Sequence, residues 1–148
     1  MIKIICVGKI KEKFFTEALN EYIKRIRKYS KIEIIELNDE SNGNILKKEG
    51  EAILKNLNNK DYIITLEIDG KEFDSKQFSK NLEQTFITNS NIVFIIGSSL
   101  GIAKEVKEKS NLAISFSKLT FPHQLFRVLL LEQIYRSFKI INNETYHK

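Results

Sequence analysis

A single cysteine, Cys6, leaves this 148-residue chain no internal disulfide and no site built from several thiolates. It lies in the apolar start MIKIICVG, which reads as a buried strand in a protein of a reducing compartment. Only two histidines, His123 and His147, are present, far from Cys6 in sequence, so no metal is expected. No run is long and apolar enough for a membrane span, and the start lacks the apolar core and cleavage site of a signal peptide. A soluble, cytoplasmic protein with no membrane partner is the expectation. Glycine is also scarce. The first turn after a strand, VGKIKEKF, holds one glycine, which excludes the dinucleotide-binding fingerprint. The P-loop motif and the GxSxG nucleophile elbow are missing as well. The common nucleotide and hydrolase readings fail.

The composition that remains is 42% hydrophobic and 29% charged, ordinary for a folded domain with a proper core. A net charge of +5 suits either a polyanionic partner or a solvated lysine surface.

Apolar periodicity alternates along the chain. Strand-like runs cover 2–8, 32–38, 62–68, 91–97 and 112–117, with the third ended by the turn signal Asp69-Gly70. Helical spacing covers 14–29, 45–57, 75–86, a short piece at 103–110, and about Pro122 to Ile141. Asp74 or Ser75 caps the third helix, and Gly50 weakens the second by roughly 1 kcal/mol relative to alanine. Strands that are continuous apolar runs, each followed by a helix, predict a mostly parallel sheet covered on both faces. No repeat or linker interrupts it, so residues 1–148 read as one α/β domain.

Open α/β proteins bind ligands at the carboxyl ends of their strands, which directs attention to three junctions. These are Leu66 to Gly70, the glycine-flanked loop Gly97 to Gly101, and Ser115 to Pro122. The last holds the only proline, next to one of the two histidines. Pro122 fits the first turn of a helix, with Thr120 as its N-cap. Backbone groups of Phe116, Ser117, Lys118, Leu119, Thr120 and Phe121 would then lie beside the Gly97 loop. They could read an adenine edge, with Leu66, Ile96 and Leu119 as apolar walls. On the helix that follows, His123, Arg127, Leu130, Ile134 and Ile141 share one face. An arginine on an apolar stripe must pair or line a pocket; here His123 and Arg127 are expected to face the same pocket. Glu132, Arg136 and Lys139 form a separate polar stripe.

The stretch LAISFSKLTFPHQLFRVLLLEQIYR, from Leu112 to Arg136, resembles the SPOUT methyltransferases. The resemblance is to their small RlmH type and spans the chain, through VGKIKEKF, KKEGEAIL, TLEIDGKEF, FIIGSSLG and the ending ETYHK. It implies a C-terminal trefoil knot, contrary to the general rarity of knots. It also implies S-adenosylmethionine held at Leu66, Gly97 and the backbone of Phe116 to Phe121. The implied reaction is methylation of N3 of a pseudouridine in 23S rRNA of the assembled ribosome. A homodimer is implied too, in which Tyr146, His147 and Lys148 of one subunit complete the site of the other. One departure is Ser98, where the family usually has a second glycine; a left-handed backbone there would disfavour serine.

His123 or His147 could take the N3 proton, and Arg127 could hold developing negative charge. Lys9, Lys11 and Lys13, with Lys24, Arg25, Arg27, Lys28 and Lys31, could contact phosphates. The competing readings are a methyltransferase of the same fold acting on tRNA or protein, a non-catalytic ribosome-binding factor, and a monomeric flavodoxin-like ligand module.

Overall fold

The computed structural model describes residues 1–148. Its strands are β1 (Ile2–Val7), β2 (Ile32–Leu37), β3 (Tyr62–Glu72), β4 (Ile92–Ile96) and β5 (Leu112–Ser115). All neighbours pair in parallel, in the order β2-β1-β4-β3-β5. The helices are α1 (Lys13–Ile26), α2 (Ile45–Lys55), α3 (Ser75–Thr88), α4 (Lys104–Lys109) and α5 (His123–Ile141). The expected parallel α/β sheet is therefore present.

The pleat explains why β4 reads as an unbroken apolar run and β1 as one interrupted only by Lys3. Ile2, Ile4, Cys6, Ile92, Phe94 and Ile96 enter one core with Leu19 of α1, Leu82 of α3 and Leu130 of α5. Ile5, Val7, Val93 and Ile95 enter a second core with Ile53 of α2 and Val106 of α4. Both faces of these strands are covered by helices; the one polar side chain, Lys3, is buried and donates to the Asn56 carbonyl at the end of α2 at 2.8 Å. Gly50 has its own reason: a Cβ there would lie 2.6 Å from the Cβ of Ala103. Helix propensity in α2 is given up for close approach to the start of α4.

Two junctions differ from the sequence expectation, and both shape the site. Asp69-Gly70 does not end β3. Leu66 and Lys71 both pair with Ile114, so Glu67 to Gly70 bulge out and the strand resumes to Glu72. A Cβ on Gly70 would come within 2.6 Å of the Ile114 backbone, so only glycine lets β5 close over the bulge. In α5, His123 is the first helical residue, and Pro122 takes the cap position with ψ 138 and no side-chain cap. Thr120 is thus two residues too early to act as N-cap. The proline holds the chain extended up to the helix instead of forming its first turn.

Burial has a chemical consequence at Cys6, which is fully inaccessible. Loss of hydration pushes its thiol up to about 11, against the pull of the nearby Arg127 charge. Because the folded pKa is raised, the stability this thiol contributes is intact below about 9 and lost as pH climbs through about 11. Alkylation of the native protein at pH 8 is expected to be at least ~100-fold slower than of the urea-unfolded chain, as timed by mass spectrometry.

Candidate functional site

The three junctions singled out in the sequence line one cavity of about 730 Å³. Leu66, Glu67, Ile68 and Asp69 enter from the β3 bulge, and Ile96 to Ser99 with Gly101 and Ile102 from the end of β4. Ile114 to Ser117, Leu119 to His123 and Phe126 close it from the other side. The volume is in the range of small-molecule sites, which runs to about 1,000 Å³.

Local backbone chemistry builds this cradle. A Cβ on Gly97 would lie 2.3 Å from the Gly101 carbonyl oxygen, so the β4 loop can fold back on itself only with glycine there. Gly101 supplies the left-handed turn, at φ +86. Ser98 has no positive φ, and the concern over serine at this position falls away. Its hydroxyl donates to the buried Glu49 carboxylate at 2.7 Å and accepts from the Leu100 amide at 3.2 Å. Substitution of Gly97 by alanine is expected to weaken binding of an adenosyl ligand at least ~30-fold in calorimetry, since backbone and not a flexible side chain blocks the new Cβ.

From Phe116 to Phe121, the Leu119 amide alone has an intramolecular acceptor, Ser117 Oγ at 3.0 Å. The remaining amides and most of the carbonyls have no partner in the chain, and all of these residues but Lys118 line the cavity, so their backbone groups remain free for a ligand or water. Apolar walls come from Leu66, Ile96 and Leu119, the last 72% exposed at the rim. Apolar walls with a run of free backbone donors and acceptors fit a purine nucleoside, which is flat, apolar on its faces and polar at its edge. Lys118 is absent from the cavity lining; its Nζ lies 4.0 Å from Asp69 Oδ1, both well exposed.

Of the chemical residues expected on α5, only His123 lines the cavity. Arg127, 3% exposed, does not face it. Its guanidinium donates to Glu36 Oε2 at 2.8 Å and to the carbonyls of Val7 and Gly8 at 3.1 and 2.6 Å. Glu36 Oε2 also accepts the Ile10 amide at 2.8 Å. The apolar stripe thus holds its arginine by closing the carboxyl end of β1, a pairing that sequence periodicity left open.

Tyr146 and His147 lie at the other end of α5. His147 Nδ1 is 3.0 Å from Arg136 Nη1, and the Tyr146 hydroxyl donates to Glu132 Oε1 at 3.1 Å. Arg136 also stacks on the Tyr146 ring, 4.8 Å from its centroid. Burial and the Glu132 charge raise the Tyr146 phenol to about 12, so it remains a hydrogen-bond donor near neutral pH. The Glu132 hydrogen bonds likewise raise Arg136. Arg136 is the residue that sequence reasoning missed, because it read as one member of a polar stripe with Glu132 and Lys139; the tail that folds back onto it leaves no local signal.

Thirteen residues of helix separate His123 from Arg136, or about 20 Å along the axis. One subunit therefore does not bring its own tail to its own cavity. Between these ends, Leu125 and Leu129 form an i,i+4 pair that packs into neither core, half-buried on the face that continues to Glu132 and Arg136.

Comparison with known sequences agrees with the geometry. A family model described as "predicted SPOUT methyltransferase" matches residues 1–147. The ribosomal RNA large subunit methyltransferase H of Caldicellulosiruptor saccharolyticus is 48% identical, with all of each chain covered. The protein of that name from Enterococcus faecalis is 47% identical, with 99% of each chain covered. A Methanococcus vannielii protein given the name provisionally is 55% identical, again over 99% of each.

Proposed function

The chain belongs to the SPOUT methyltransferase family, and from that premise we propose that it methylates N3 of a pseudouridine in 23S rRNA of the assembled ribosome. In this reading the donor is S-adenosylmethionine, the protein is a cytoplasmic homodimer, and residues 1–148 act as one domain carrying the family's C-terminal knot. The observation that carries the proposal is the cavity at the β3, β4 and β5 ends, whose free backbone groups from Phe116 to Phe121 suit an adenosine.

Leu66, Gly97, Phe116, Ser117, Leu119, Thr120 and Phe121 would hold the cofactor, with Lys118 contributing backbone alone. Bound there, S-adenosylmethionine supplies an electrophilic methyl group on a sulfonium. The imide nitrogen of pseudouridine attacks poorly while protonated, so the protein's task is to place it in line and accept its proton. His123 lines the cavity and is the residue placed to take that proton. Arg136, with His147 and Tyr146 beside it, supplies positive charge and hydrogen-bond donors for the uracil carbonyls as charge develops. That cluster reaches the cavity of the partner subunit, not its own, and the unpartnered Leu125 and Leu129 face is the dimer contact. Arg127 serves as a positioning residue that seats the first half of α5.

Exposed Lys9, Lys11 and Lys13 sit beside the first turn of α5, where Gln124 Oε1 accepts the Lys11 and Glu12 amides at 3.1 and 3.3 Å. A phosphate held there would lie near the cavity mouth. On α1, Arg25 is already engaged by Glu21 and the rings of Tyr22 and Tyr135, which leaves Lys24, Arg27, Lys28 and Lys31 for RNA.

The acceptor class is tested with labelled S-adenosylmethionine and ribosomes, isolated subunits, free rRNA or tRNA from cells without this activity. Label is expected in large-subunit rRNA of intact ribosomes, with a dimer by light scattering. Label in tRNA would move the substrate, and cofactor binding without any transfer would favour a ribosome-binding factor.

A further inference from the structure

The cavity wall contributed by α4 differs in chemistry from the rest. Glu67 Oε1 and Lys107 Nζ stand 3.4 Å apart, both among the lining residues. Glu67 is 20% exposed, and its other oxygen accepts the hydroxyl of the fully buried Thr65 at 2.6 Å. That carboxylate is fixed from beneath by β3 and from the side by α4. Lys107 is 49% exposed, with its ammonium free to serve a second acceptor. The other ion pair at this cavity, Asp69 with Lys118, lies outside on the rim, 94% and 70% exposed.

Strand geometry accounts for the separation. Ile63 enters the core beneath α2 and α4, so Thr65 and Glu67, two and four residues on, point to that same side. Leu66 points to the opposite side, that of α5, where His123 and Phe126 line the cavity. The cavity thus has a charged end under α4 and an aromatic and imidazole end under α5.

We propose that Glu67 and Lys107 form a subsite for an α-amino-acid end group, with Glu67 taking the ammonium and Lys107 the carboxylate. This rests on the cofactor reading above and deepens it, by assigning the methionine end of the ligand to the α4 side and away from His123. A zwitterion matches a preformed opposite pair better than either single charge does. It completes a ring of alternating charges and leaves no ion unpaired as water is displaced. A singly charged group at this wall would pair with one member and repel the other, and a neutral group would displace water from the pair without replacing its charged contacts.

The test compares S-adenosylmethionine with 5′-methylthioadenosine, which keeps the adenine and ribose but has no amino-acid end. Calorimetric affinities of both are measured for the wild type, Lys107→Met and Glu67→Gln. The methionine variant alters an exposed side chain and the glutamine variant keeps shape, so each checks the other for folding. S-adenosylmethionine affinity is expected to fall roughly 10-fold or more in each variant, the loss of one charge-assisted hydrogen bond. Methylthioadenosine affinity is expected to stay within about twofold. Parallel losses for both ligands would overturn the subsite and assign the carboxylate to the ribose; unchanged affinities would overturn it outright. A wild type that binds neither ligand removes the cofactor reading, and the subsite with it.

Discussion

Removal of Tyr146, His147 and Lys148 is expected to lower methyl transfer by about 100-fold or more, the scale of a lost proton-transfer or charge-stabilising group. Affinity for S-adenosylmethionine is expected to change less than twofold, because in the proposed dimer the tail meets the acceptor uracil, while the groups that hold the cofactor, Leu66, Gly97 and Phe116 to Phe121, remain in place. The sharper form of the prediction uses two defective subunits. A tail-less subunit keeps its cavity, and a Gly97→Ala subunit keeps its tail. Co-expressed as a mixed dimer, they contain one complete site, and activity is expected to return toward half that of the wild type. If each subunit held a self-sufficient site, mixing would recover nothing, and the partner assignment of Arg136, Tyr146 and His147 would fail.

Arg127→Met is expected to destabilise the protein by about 3 kcal/mol, a large effect for one side chain. Removing the guanidinium leaves the Val7 and Gly8 carbonyls without their donor and Glu36 without its cation. Glu36 is 36% exposed, so water recovers part of its solvation and holds the loss to that value. Thermal unfolding should show a fall in Tm of roughly 10 °C at this chain length. Arg127→Lys should recover only part of it, since one ammonium cannot reproduce a fork that spans three acceptors. A catalytic Arg127 would behave in the opposite way, with unchanged Tm and abolished turnover.

The contrast between these two arginines shows which parts of the molecule were legible in sequence. Parallel strands covered on both faces have no polar face, so IKIICV and IVFII announced the sheet directly. The three junctions at strand ends were legible too, because glycine, proline and a break in apolar runs mark where backbone turns. Their edges were less so. Whether Asp69-Gly70 ends a strand or bulges depends on how close β5 approaches, and that contact is with Ile114, 44 residues away. Arg127 and Arg136 lie on one helix, nine residues apart, and periodicity favoured the buried one as the chemical group. It could not show that strand-end carbonyls already occupy Arg127, nor that the tail folds back on Arg136. Both facts depend on contacts between distant segments, which helical spacing does not encode.

The family's chemistry, placed on this chain, is tested most directly by mapping the methyl group after reaction with intact ribosomes. Nuclease digestion and tandem mass spectrometry of the large-subunit rRNA should find the label on N3 of one pseudouridine, and the label should be strongly reduced when Gly97→Ala protein is used at the same cofactor concentration. Label on any other base, on tRNA or on ribosomal protein, from an enzyme that binds S-adenosylmethionine normally, would contradict the proposed substrate.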